Sequence, residues 1–279
     1  MSGETRNQIE IPEELLRFYN QLAVLQDEMY AKVKLPEIFA GENESRQHHE
    51  AKKSWVQLLK FPEITEGFQQ NLRDIADFAK ESRPQIREQI ETIMIAISNE
   101  DIEEIIEKTL WLDAHYFENL SKKKNLSAGI LVFLVQNAFR PYLRAWGQSL
   151  MKPQDVEQWL KPYCPICGQK ASLSRLRSGN GGRMLFCGHC SSEWQYRHLF
   201  CPHCENQDPM TLNIITIEGD DVDQIYTCEK CKGYLKTINE KQGQSLNNML
   251  VESARTFFLD ILAEREGYSN PSADRAQLN

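Results

Sequence analysis

The sequence predicts an α+β protein: an N-terminal helical bundle, then two small zinc-ribbon-type four-cysteine modules, then a C-terminal helix. Three observations predict it. No cysteine occurs in residues 1–163, whereas all eight lie between 164 and 231. Apolar residues recur at helical spacing through the first segment and again near the C-terminus. Between them the apolar pattern turns to period two and turn residues become frequent. The expected division is 1–160 for the helical domain and 161–240 for tandem modules (about 161–197 and 198–240). The closing helix and tail occupy 241–279.

The helices follow in order. Ile11 to Tyr30 carries Leu15, Leu16, Tyr19, Leu22, Leu25 and Met29 on one face. A second stretch, about 63–82, carries Phe68, Leu72, Ile75 and Phe78. Pro84 suits the opening of the next helix, with Ile86, Ile90, Ile93, Met94 and Ile97 aligned. Asp101 reads as an N-cap, with Glu104 completing a capping box. Its helix is expected to bury Ile102, Ile105, Ile106, Leu110 and Leu112. Residues 126–150 are the most apolar and are expected at the centre of the bundle, kinked or divided at Pro141.

In the modules, the run from Ser178 to Gly182 is a hairpin turn signal. Leu212 to Ile217 reads as a strand, with a turn over 218–221. Trp194 to Phe200 alternates and reads as a strand linking the two units. Residues 246–266 return to helix through Met249, Leu250, Ala254, Phe257, Phe258, Ile261 and Leu262, and the tail after Tyr268 is expected to fray.

Composition narrows the function. With 279 residues, 41% hydrophobic and 26% charged, the chain has material for a sizeable core plus a smaller module. Its formal net charge is −8, and ionised thiols would make it more negative still. That balance argues against nucleic acid, whose phosphates are bound by excess cationic side chains. The polar N-terminus lacks a signal-type apolar core, and the run Gly129–Val135 is far too short to span a bilayer. A cytoplasmic location with no membrane partner is expected, and thiols stay reduced there.

Cys-x-x-Cys occurs four times, at Cys164/Cys167, Cys187/Cys190, Cys201/Cys204 and Cys228/Cys231, separated by 19, 10 and 23 residues. Two thiolates three residues apart on a tight turn grip an ion from one side, and a second turn closes the tetrahedron. The first spacing falls in the zinc-ribbon range and the last lies slightly outside it. Disulfides are disfavoured by the expected compartment. A redox Cys-x-x-Cys usually occurs once, at a helix N-terminus. The expected cofactors are two metal ions, iron or zinc, since four thiolates suit both. Consecutive pairing gives each hairpin its own site through short loops; interleaved pairing remains geometrically open. Gly168 and Gly233 suit positive-φ positions at or near the turns.

Four thiolates leave no position for a reactive water, so the sites read as closed rather than catalytic. His189 and His203, inside two of the pairs, read as exposed turn residues, and His198 as a surface position. Residues 161–204 hold six Lys/Arg (Lys161, Lys170, Arg175, Arg177, Arg183, Arg197) and one acid, Glu193, whereas 205–240 hold three Lys and eight acids. The simplest reading is two solvated hairpins of complementary charge; the sharper one is a basic hairpin that docks an acidic partner. The chain shows no phosphate-binding glycine loop, HExxH, GxSxG or GxGxxG, so no catalytic set is expected.

These residues resemble a known family. Cys164-Pro-Ile-Cys-Gly168, Phe186 before Cys187-Gly-His-Cys190, Glu193-Trp194, and Cys201-Pro-His-Cys204-Glu205 are similar to the formate dehydrogenase accessory protein FdhE family. So are the fourth pair with Gly233-Tyr234-Leu235-Lys236, and the closing stretch Leu259–Tyr268. Asn137-Ala-Phe-Arg-Pro-Tyr142 extends the likeness into the helical half. The resemblance implies rubredoxin-like iron or zinc modules on a helical domain. It also implies a cytoplasmic, non-enzymatic factor that assists assembly of molybdenum- or tungsten-containing formate dehydrogenase and contacts its catalytic subunit. Two alternatives come from other classes: a rubredoxin-like redox protein using iron, and a zinc-ribbon nucleic-acid binder led by Arg175, Arg177 and Arg183.

Overall fold

The computed structural model describes residues 12–217, 219–241 and 248–270. The expected start of the first helix at Ile11, the polar N-terminus, Glu218 of the turn, residues 246–247 and the tail from 271 lie outside them.

Among the described residues, nine α-helices precede the sheet: α1 (Glu13–Lys32), α2 (Glu42–His49), α3 (Trp55–Leu58), α4 (Thr65–Ser82), α5 (Arg87–Ile97), α6 (Ile102–Trp111), α7 (Ala114–Lys124), α8 (Ala128–Leu150) and α9 (Pro153–Gln158). Pro84 opens a single 3-10 turn that leads into α5. Asp101 caps α6, its carboxylate accepting from the backbone N–H of Glu103 at 2.9 Å and of Glu104 at 3.4 Å. Glu104 does not complete the box; its carboxylate accepts from Tyr116 Oη at 3.4 Å instead. Leu112 falls outside α6, as a left-handed C-cap at φ 51°, and is only half-buried. Ile102 is half-buried too.

α8 lies at the centre, packed against α1, α4, α5, α6 and α7. Leu131, Leu134, Val135, Ala138, Phe139, Leu143 and Trp146 are fully buried on it. Each large apolar side chain withdrawn from water this way contributes about 1.5–3 kcal/mol before entropy is counted. Pro141 does not divide the helix, which runs unbroken through it. A proline here removes the N–H that would bond the carbonyl of Asn137. Gln26 on α1 supplies a replacement: its Nε2 donates to that carbonyl at 3.3 Å and to Asn137 Oδ1 at 2.9 Å.

Six strands follow among the described residues: β1 (Leu173–Leu176), β2 (Arg183–Phe186), β3 (Glu193–Tyr196), β4 (Leu212–Ile217), β5 (Asp220–Cys228) and β6 (Tyr234–Asn239). They form one sheet in the order β3-β2-β1-β6-β5-β4. Each unit contributes an antiparallel hairpin and a returning third strand. The units join where β1 pairs in parallel with β6, Ser174 opposite Thr237. The sheet thus runs across the boundary expected near 197. β3 ends at Tyr196, short of the strand expected to reach Phe200.

The C-terminal helix is two helices, α10 (Met249–Arg255) and α11 (Phe257–Arg265), meeting at Thr256. α10 packs against α1, and α11 against β5 and β6. Lys236 on β6 is buried, yet its Nζ donates to Asp260 at 2.7 Å and to the Ser253 carbonyl at 2.8 Å. The main core does not stop near residue 160. It continues from the helices into Cys164, Ile166, Cys167, Leu185, Cys187, Cys190 and Trp194. Among the described residues no helix is long and apolar enough to cross a membrane.

Candidate metal centres

The four Cys-x-x-Cys segments fold alike. In each, the first cysteine's N–H donates to the carbonyl five residues on: Cys164 to Gln169 at 2.8 Å, Cys187 to Ser192 at 2.9 Å, Cys201 to Asn206 at 2.8 Å and Cys228 to Gly233 at 2.9 Å. The residue four positions on always takes positive φ: Gly168 (75°), Ser191 (60°), Glu205 (57°) and Lys232 (54°). Only the first turn uses glycine there. Gly233 is not at a positive φ; it is small because a Cβ would lie 2.8 Å from His203 and 3.1 Å from Cys231 Sγ.

The turns gather consecutively. Cys164, Cys167, Cys187 and Cys190 form one cluster, and Cys201, Cys204, Cys228 and Cys231 the other, the sulfurs of each within 4.8 Å of one another. Thiolates bound at about 2.3 Å to a tetrahedral ion lie about 3.8 Å apart. In the second cluster Cys201–Cys231 is 3.7 Å and Cys204–Cys228 is 3.8 Å. The first is slightly tighter, at 3.4 Å for Cys164–Cys190 and Cys167–Cys187 and 3.6 Å for Cys167–Cys190. Two four-thiol clusters of these dimensions fit two metal ions, zinc or iron.

The clusters differ in burial. All four sulfurs of the first lie in the core, whereas Cys204 and Cys231 of the second are exposed. Burial pushes the Cys164 and Cys167 thiols well up. Burial opposes ionisation of Cys187 as well, but hydrogen bonds from Cys164, Cys167 and Cys190 outweigh it and hold that thiol well down. In the second cluster the partial burial of Cys231 lifts its thiol to about 11. Burial opposes ionisation of Cys228 too, but the backbone of Cys231 and the side chain of Asn206, whose Nδ2 lies 3.6 Å from its sulfur, draw it down to about 7.

A divalent ion in four thiolates carries net negative charge, and each cluster has a guanidinium nearby, that of half-buried Arg140 for the first and of buried Arg183 for the second. Burial lowers Arg140 to about 10, opposed by Cys187 and Cys190; it lowers Arg183 to about 10, opposed chiefly by Tyr226 and then Cys201. The Asn137–Tyr142 motif contained Arg140, but its proximity to cysteines some fifty positions on has no sequence signal. Arg183 is 2% exposed, stacks on Tyr226 at 4.7 Å, and has Nε and Nη2 without hydrogen-bond partners. Of the three arginines proposed to lead nucleic-acid binding, Arg183 is thus internal. Arg175 is paired, with Glu193 at 2.7 Å and Glu240 at 2.8 Å.

His189 and His203 are not the exposed turn residues expected. His189 is buried, and its Nε2 donates to the Leu110 carbonyl of α6 at 3.2 Å; His203 Nε2 donates to the Tyr234 carbonyl at 2.8 Å. Burial lowers both to about 4, and the Nε2 of each bonds a backbone carbonyl rather than a sulfur. His198 is exposed, as expected, edge-on to Tyr226 at 5.9 Å.

A helical bundle fused to a six-stranded sheet bearing two closed four-thiol clusters defines a metal-thiolate protein built on a helical scaffold. The comparisons sharpen that class. The family described as "FdhE, central domain" matches residues 163–198, the first cluster and its hairpin. The chain is 27% identical over 189 residues to the "Protein FdhE homolog" of Aquifex aeolicus, covering 66% of this chain and 61% of that one. It is 27% identical over 200 residues to the homolog of Haemophilus influenzae strain Rd, covering 70% and 63%. The matches thus span less than two thirds of these relatives' length. The crystal structure of the FdhE protein from Pseudomonas aeruginosa shares the fold, with a TM-score of 0.65 at 21% identity over 95% of this chain and 93% of that one. By its domain match and its relatives the chain is similar to FdhE proteins, and it shares their fold.

Proposed function

We propose that this chain is a cytoplasmic, non-enzymatic accessory factor for assembly of molybdenum- or tungsten-containing formate dehydrogenase, binding its catalytic subunit. The observation that carries the reading is the likeness to FdhE proteins in both the thiol module and the helical half. Cys164, Cys167, Cys187 and Cys190 hold one iron or zinc ion, and Cys201, Cys204, Cys228 and Cys231 the other. Four thiolates fill a tetrahedral ion's coordination, so the role of each ion is to fix the hairpins and the surface they present. Within proposed domains of 1–160, 161–240 and 241–279, helices α1–α9 support the sheet that carries the thiol clusters, and α10 and α11 pack back on the fold.

The test is affinity capture of the tagged chain from formate-grown cells, together with formate oxidation in a deletion strain. Recovery of the catalytic subunit and loss of activity support the reading. No dehydrogenase subunit and normal oxidation would overturn it.

The exposure of Cys204 and Cys231 favours one second reading, a rubredoxin-like redox site at the second cluster. Zinc-only occupancy of the native protein excludes it.

A further inference from the structure

We propose that His48, His49 and Asp155 form a third metal site, open to solvent, that takes a divalent first-row transition ion such as zinc or iron(II). The three residues come together from distant segments: the two histidines end α2, and Asp155 sits in the first turn of α9. One ligand atom from each lies within 4.8 Å of the others. Two imidazoles and a carboxylate are a donor set that such ions accept and that leaves a coordination position free.

Two of the three residues are buried and each keeps a donor atom without a hydrogen-bond partner. His48 is fully buried. Its Nδ1 donates to the Lys53 carbonyl at 2.8 Å, which fixes the tautomer and leaves the lone pair on Nε2. That Nε2 is buried and has no hydrogen-bond partner. The ring is held by stacking on Trp55 (4.2 Å, 18°) and Trp159 (4.6 Å, 18°). Asp155 is 3% exposed; its Oδ2 accepts from the Lys152 N–H at 2.9 Å, while its buried Oδ1 makes no hydrogen bond. His49 Nδ1 lies 3.4 Å from that Oδ1. Donors bound at about 2.1 Å to a tetrahedral ion are separated by about 3.4 Å.

The competing explanation is a plain ion pair between protonated His49 and Asp155. It accounts for Asp155 but leaves the buried Nε2 of His48 without a partner. An ion satisfies all three. The nearby cations do not occupy the centre: Lys52 Nζ reaches the Gln158 carbonyl at 3.4 Å and Lys53 Nζ reaches Gln47 at 2.8 Å. His49 is 43% exposed and gives solvent a path to the site. The site also backs onto the first thiol cluster. Trp55 N donates to the Pro165 carbonyl at 3.0 Å, and Trp159 Nε1 to that of Tyr163 at 2.6 Å.

The test uses the full chain, equilibrated with zinc and desalted, with zinc counted by elemental analysis. Mercurial titration of the thiols separately counts thiol-bound zinc. Wild type is expected to hold one equivalent beyond the thiol-bound pool. His49→Ala and Asp155→Asn are each expected to lose that equivalent, with affinity down by more than about 100-fold, beyond the range seen for outer-sphere changes. The thiol-bound pool stays the same in all three proteins. His49 is a surface position, and the amide introduced by Asp155→Asn keeps an oxygen for the Lys152 N–H, so both variants are expected to keep the wild-type circular dichroism. No equivalent beyond the thiol pool in wild type, or an extra equivalent that persists in both variants, overturns the proposal. A thiol-bound count other than two would bear on the cysteine clusters alone.

Discussion

Arg140, on the central helix, donates to the carbonyl of Gly188 from both Nε and Nη2, at 3.2 and 3.0 Å. Gly188 lies between Cys187 and Cys190, so one guanidinium ties the helical core to the second turn of the first thiol cluster. Its Nη1 donates to Asn137 Oδ1 at 2.6 Å. Replacing it with methionine removes the charge beside the thiolates and strands the Gly188 carbonyl. Arg140→Met is expected to destabilise the fold by about 3 kcal/mol. It should weaken zinc retention at the first cluster and spare the second. Thermal melts and chelator competition measure the two effects.

Unequal burial of the two clusters sets an order of metal loss. Cys204 and Cys231 are exposed, whereas the first cluster lies in the main core. A chromogenic chelator should draw metal from the second cluster at least about tenfold faster, because release there needs only local opening. Two phases are expected. Cys204→Ser with Cys231→Ser should abolish the fast one, and Cys164→Ser with Cys167→Ser the slow one. A single phase unaffected by either pair would contradict the assignment.

The junction of the two units rests partly on charge. Arg175 on β1 meets Glu193 of its own unit and Glu240, just past β6, of the other. Glu240 is 5% exposed, so losing its partner leaves a buried carboxylate. Arg175→Met and Glu240→Gln are each expected to cost about 2 kcal/mol. The double variant should cost less than their sum by at least about 0.5 kcal/mol. Chemical denaturation of the four proteins measures the coupling.

Gln26 takes over the hydrogen bond that Pro141 denies to Asn137. Gln26→Ala should leave a buried carbonyl and amide short of partners, at a cost of about 2 kcal/mol. Adding Pro141→Ala restores the N–H and should recover part of that loss, read as a rise in melting temperature. No recovery would mean that Gln26 acts through packing alone.

What the sequence revealed and what it hid divide along contact distance. The cysteine pairs, the helix of Thr65–Ser82 and the Asp101 cap are local patterns, carried by spacing and side-chain type. The burial of His189 is not local, since its partner is the carbonyl of Leu110 on another helix. Pro141 misled for the same reason: the group that compensates it sits 111 positions away from Asn137. The parallel β1–β6 pairing joins strands more than fifty residues apart, and alternation within each strand carries no record of it. Arg140 and the His48–His49–Asp155 group likewise exist only once the chain is folded. The cysteines were legible because one ion's coordination imposes a short, repeated spacing; nothing imposes one on the residues around it.

X-ray absorption with elemental analysis reads directly whether each four-cysteine cluster holds one metal ion. The sample is full-length protein, purified without oxygen, carrying Asp155→Asn so that histidine-carboxylate binding does not dilute the signal. Two ions per chain are expected, each in a shell of four sulfurs at about 2.3 Å. Fewer than one ion per cluster, a mixed nitrogen–sulfur shell, or the mass loss of disulfide formation would contradict this.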